Sequence, residues 1–147
     1  MSPALRKYFD DYFQYHRTRG NQITHAFGIP ILMVSVFGLL AGIGHFGTFG
    51  SGILQLDLGI ALWGVAVIWY FRLDYKIALP FSIFALGCYF LGRTFPSTVL
   101  WVLFVLGWIF QGIGHAVYEK KSPAFFKNLE HLIIAPILIF AKWVRYT

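Results

Sequence analysis

Four of the five histidines in this 147-residue chain fall in two short regions, and imidazole is the commonest protein ligand for transition metals. The first region runs from Tyr15 to His25 and holds His16, Asn21 and His25, with Gly28 and Pro30 following. The second runs from Gln111 to Ala124 and holds His115, Tyr118 and Glu119, with His131 further on. Asn21 and His25 stand four apart, and Gly28 extends that stripe. Gln111, His115 and Glu119 repeat the spacing of four, with Tyr118 seven from Gln111. Such spacings place each set on one face of a helix. Two neutral imidazoles and a carboxylate form a site with open coordination positions, which suits non-haem Fe(II), although zinc accepts the same ligands. His25 and His115 with a third group from His16, Glu119 or His131 would complete it. Asn21, Gln111 and Tyr118 are candidates to orient the imidazoles from behind.

A single histidine at a membrane surface is more often an interfacial residue bonded to headgroups or backbone. Four at one depth, with Asn21, Gln111 and Glu119, point instead to a functional site. His45 falls outside both regions and carries no such reading.

The elements that must position these groups follow from composition. The chain is 58% hydrophobic, 20% aromatic and only 12% charged, with a mean hydropathy of +0.66. Soluble domains carry roughly a quarter charged residues. A disordered chain, a coiled coil and a water-soluble globule are all disfavoured. The single cysteine, Cys88, excludes an intramolecular disulfide framework and lies in an apolar run that suits packing.

A membrane helix needs roughly 20 apolar residues. The expected fold is all-α: one transmembrane domain over residues 1–147, an integral membrane bundle of four transmembrane helices plus amphipathic terminal helices. The spans fall at about 23–43, 53–71, 77–91 and 98–115. Interfacial segments are expected at 3–16 and 123–144. In the first of them, Leu5, Tyr8, Phe9, Tyr12 and Phe13 recur at helical spacing among charges, which fits a helix at headgroup level or one packed on the bundle. Gly38 and Gly42 form a G-x-x-x-G pair that would serve an intramolecular contact or a homodimer. Asp57 suits a helix cap, and Asp74 an ion pair with Arg72 or Lys76.

Of the twelve Lys and Arg residues, this topology puts eleven on the side of both termini and leaves Arg93 alone on the other. The positive-inside rule then places both termini in the cytoplasm, of a bacterial inner membrane or of the endoplasmic reticulum. The net charge of +6 is a topology signal that also attracts membrane lipid, and no nucleic-acid partner is called for. Lys120 and Lys121 would suit an acidic headgroup such as a carboxylate. A small transporter or proton-conducting bundle is a second reading, opposed by span centres nearly free of ionisable groups. A non-catalytic lipid-binding or assembly protein is a third.

The string Gly107-Trp108-Ile109-Phe110-Gln111-x-x-Gly114-His115-x-x-x-Glu119-Lys120-x-x-Pro123-Ala124, with Ala135-Pro136, is specific. Together with Tyr15-His16, Asn21, His25 and Pro30, it resembles a small membrane family of Fe(II)-dependent 2-hydroxy fatty acid dioxygenases, which act in degrading phytosphingosine to odd-chain fatty acids. The likeness covers about residues 12–30 and 107–136; between them only hydrophobicity and helix count agree. The resemblance implies an enzyme that uses dioxygen to remove one carbon from a 2-hydroxy fatty acid. It implies His16, His25 and His115, and less directly His131, as iron ligands or their supporters. Glu119 would be a further ligand or the base for the hydroxyl proton, and the acyl chain would lie between helices within the bilayer.

Overall fold

The computed structural model describes residues 1–43, 45–49, 54–120 and 130–146. Helix α1 (Pro3–Gln14) starts where the Ser2 hydroxyl accepts the Leu5 N–H at 3.1 Å, with Pro3 in the first turn. Helix α2 (Arg19–Ile43) leads to a short antiparallel ribbon of β1 (His45–Phe49) and β2 (Leu54–Asp57). Helices α3 (Leu58–Gly92) and α4 (Ser97–Ile113) follow, then a π-helical segment, Gly114–Glu119, and helix α5 (Glu130–Trp143). The fold is all-α apart from that ribbon.

Among the described residues, three helical stretches are long and apolar enough to cross a membrane: Arg19–Ile43, Leu58–Gly92 and Ser97–Glu119. The longest is two helices in one. Asp74 has φ −162° and ψ 100°, which is not helical. Trp63 Nε1 donates to the Ser82 carbonyl at 3.0 Å, although 19 residues of straight helix would separate them by about 28 Å. Tyr89 Oη likewise reaches Asp57 Oδ2 at 2.7 Å. α3 therefore folds back at Asp74 into two antiparallel arms.

Two boundaries differ from expectation. Residues 54–57 are strand, because the Asp57 carboxylate accepts the Ile60 N–H at 2.9 Å and caps the helix there. Asp74 makes no ion pair with Arg72 or Lys76. Its carboxylate accepts the Ser2 N–H at 2.6 Å and the Tyr146 hydroxyl at 3.2 Å, tying both ends of the fold to the turn.

Glycines set the helix spacing, in a pattern other than G-x-x-x-G. Gly38 abuts Gly92 of α3, and a Cβ on Gly92 would lie 2.4 Å from the Val34 carbonyl oxygen. A Cβ on Gly42 would meet nothing within 4 Å. Gly28 and Gly107 let α2 and α4 approach: a Cβ on either would stand 3.2 Å from the other's carbonyl oxygen. α5 buries Ile134, Ala135, Ile137, Leu138, Ile139 and Ala141. Apolar nearly all round, it belongs to the interior of the bundle.

Candidate metal centre

His16 follows the last turn of α1, His25 lies in the second turn of α2, and His115 is carried by the π-helical segment. Such segments are rare and concentrate at functional sites. All three side chains are 3% exposed. Their ring centroids form a nearly equilateral triangle of 4.5, 4.8 and 4.9 Å. Each offers one nitrogen, and these three nitrogens lie within 4.8 Å of one another.

The hydrogen bonds fix two tautomers. His16 Nδ1 lies 2.8 Å from the Tyr12 carbonyl oxygen, and His25 Nδ1 lies 3.0 Å from that of Asn21. A carbonyl only accepts, so both rings carry their proton on Nδ1. Both Nε2 atoms then present lone pairs, and these face each other at 3.2 Å. Neutral imidazoles do not hold such an arrangement for their own benefit; a shared cation satisfies it. Two nitrogen ligands, each about 2.0–2.1 Å from one metal, stand about 3 Å apart at ordinary ligand angles. The donor set fits a metal ion.

Burial pushes the His16 pKa down to about 4, outweighing the upward pull of the Tyr12 carbonyl, so the ring is neutral and ligating at ordinary pH. Tyr12 stacks on it at 3.8 Å with 11° between planes. Burial also pushes the Tyr12 phenol well above its usual range.

Neighbouring groups hold the loop that carries His16. Gln22 Nε2 donates to the His16 carbonyl at 2.7 Å, and Lys142 Nζ of α5 donates to Gln22 Oε1 at 2.7 Å. Glu119 accepts from the Thr18 N–H at 2.7 Å and from the Thr18 hydroxyl at 3.0 Å. Gly114 lies so close to Asn21 and Thr24 that a Cβ there would come within 2.5 Å of both side chains.

The other expected site residues are placed as follows. Glu119 braces Thr18 through Oε1 and is not among the three residues of the imidazole triangle. His131 is also outside the triangle; its Nε2 lies 2.7 Å from Asp11 Oδ2. Gln111 is buried beside Gly28, and Asn21 is fully buried with its Nδ2 toward the Tyr15 carbonyl. The Tyr118 ring packs on Gly20 and is 47% exposed. Lys120 is exposed, with a left-handed backbone (φ 53°), and Lys121 lies outside the described residues. Tyr12 and Gln22 were missed by sequence reasoning.

A cavity of about 300 Å³ opens from the imidazoles into the bundle. Its polar end is lined by His16, His25, His115, Tyr12, Gln111 and His131. The remainder is apolar, and along α2 its wall is Ile29, Leu32, Met33, Val36 and Phe37. From His25 to Phe37 a helix rises about 18 Å, close to half of the roughly 30 Å hydrocarbon core.

A family model described as "2-hydroxy-palmitic acid dioxygenase Mpo1-like" matches residues 3–146. A protein of Saccharomyces cerevisiae, 2-hydroxy-palmitic acid dioxygenase MPO1, is 46% identical over 43 residues, which span 29% of this chain and 25% of the yeast protein. No solved structure matches the chain.

Proposed function

We propose that this chain, which belongs to the Mpo1-like family of 2-hydroxy-palmitic acid dioxygenases, shortens 2-hydroxy fatty acids by one carbon with an iron held by His16, His25 and His115. The observation that carries the reading is the pair of Nε2 lone pairs at 3.2 Å at the head of an acyl-shaped apolar cavity. Fe(II) there would supply a template for the hydroxyl and carboxylate oxygens and electrons for dioxygen. The overall change, from 2-hydroxy acid and dioxygen to the shortened acid, carbon dioxide and water, balances without an outside reductant.

The chain's own residues do the rest. The Tyr12 and Asn21 carbonyls keep Nδ1 protonated and turn each Nε2 inward. Glu119, through Thr18, and Lys142, through Gln22, hold the His16 loop. His131, bridged to Asp11, stands at the polar end of the cavity as a supporter of the site. Ile29 to Phe37 take the acyl chain, each methylene withdrawn from water contributing about 0.8 kcal/mol. The head is thereby stationed at one membrane surface while the tail lies along one leaflet. Both termini and the metal centre face the cytoplasm, on the side with eleven of the twelve basic residues. The acids released by sphingolipid breakdown are the natural class of substrate.

The test is elemental and catalytic. Purified protein should carry one iron per chain and convert a 2-hydroxy fatty acid to the acid one carbon shorter. His115→Ala should lose both. Full turnover by that variant would remove the centre from the reaction.

A further inference from the structure

The triangle of imidazoles leaves one question of recognition open: what holds the carboxylate of the acid. Among the described residues, no lysine or arginine lines the cavity. Lys120 is exposed, and Lys142 Nζ is occupied by Gln22. Besides the histidines, two described side chains with unpartnered donors line it. Tyr12 Oη and Gln111 Nε2 are both buried and have no partner. Tyr12 is 2% exposed and Gln111 7%. An unsatisfied buried polar group costs about 1–3 kcal/mol, and native proteins keep few of them. Two neutral donors lining the cavity that the three imidazoles also line amount to a binding surface for an oxygen-rich acceptor.

We infer that Tyr12 and Gln111 bind the carboxylate head of the substrate, so that the acid is recognised by two neutral donors. The inference rests on the dioxygenase reading and specifies its substrate site. The chemistry suits the location. An ammonium in this apolar cavity would be costly to bury and would repel a cation held by the imidazoles. A phenol and an amide donate without adding charge. Tyr12 is positioned for the task, since stacking on His16 fixes its ring relative to the proposed metal ligand. Gln111 is positioned by Gly28, whose missing side chain leaves room for the amide.

The experiment uses the purified iron-loaded protein and its Tyr12→Phe and Gln111→Leu variants. Iron content, kcat and KM are measured with a 2-hydroxy fatty acid. Anaerobic binding is measured for that acid and for the matching vicinal diol, which lacks the carboxylate. Loss of a hydrogen bond to a charged group predicts a rise in KM and in the anaerobic Kd for the acid of about tenfold or more in each variant. Iron content and diol binding should not change. Tyr12→Phe removes one oxygen and retains the stacked ring, so its fold is kept. An unchanged Kd for the acid in both variants would overturn the inference. So would loss of iron from Tyr12→Phe, which would assign the ring to His16 alone, or a raised Kd in Lys120→Ala with none in Tyr12→Phe. The anaerobic binding needs no turnover. A wild-type protein that binds the acid through Tyr12 yet converts none of it would sink the dioxygenase reading and leave this one standing.

Discussion

His16 and His25 approach each other nitrogen to nitrogen at 3.2 Å, each having given its one proton to a main-chain carbonyl. The pairing depends on both rings being neutral, and acid should therefore undo it. Burial holds the folded His16 pKa near 4, below the ordinary 6.5. Between those values the unfolded chain binds a proton that the folded chain does not. Stability is thus full above about pH 6.5 and falls as the pH drops toward 4, by a few kcal/mol in all. In metal-free protein, the midpoint of thermal unfolding in detergent should fall through that window. His16→Gln should flatten the fall, and an equally steep profile in that variant would contradict the assignment.

Glu119 is bonded to Thr18 and lies outside the group of three imidazoles. Glu119→Gln should therefore weaken iron affinity about 10- to 100-fold, as removal of a group supporting a ligand does, and excess iron should restore turnover. Complete loss of iron at saturating metal would make the carboxylate a direct ligand instead. Titration of the apo-variant with Fe(II) under anaerobic conditions separates the two results.

Gly92 lies against backbone on α2, with no flexible side chain to give way. Gly92→Ala should force α2 and α3 apart and cost about 1–3 kcal/mol, whereas Gly42→Ala should be neutral. Comparing the detergent unfolding of the two variants checks the claim. Equal effects would mean that Gly38 and Gly42 work as a pair after all.

Ala85 is 3% exposed and lines the apolar part of the cavity. Ala85→Phe should fill space intended for the tail. The ratio kcat/KM should fall at least tenfold for long 2-hydroxy acids and change little for short ones. A uniform loss across chain lengths would point to general misfolding or to a tail lodged elsewhere.

The imidazoles were legible from sequence because their types and spacing are themselves the chemistry. His25 and His115 stood out at helical intervals from Asn21 and Gln111, and the structure brings the helices carrying them together. Tyr12 was hidden by its company: among Leu5, Tyr8, Phe9 and Phe13 it looks like one more aromatic on an amphipathic face. Nothing local separates a phenol facing a cavity from one facing lipid. Asp74 was misjudged for a different reason. Arg72 and Lys76 are its neighbours in sequence, but Lys76 reaches it only through its main-chain N–H, and Ser2 and Tyr146, each 72 residues away, are the distant donors to it. The apolar residues before Asp57 satisfy a helix pattern and a strand pattern alike, so only the cap decides where α3 starts.

The link from Lys142 through Gln22 to the His16 carbonyl also bears on the order in which the molecule is made. His16 and His25 emerge early from the ribosome, His115 much later, and the lysine that steadies the first of them comes later still. A nascent chain thus offers two of the three nitrogens at most, one of them on a loop that Lys142 does not yet secure. The triangle of imidazoles is therefore complete only once most of the chain has been made.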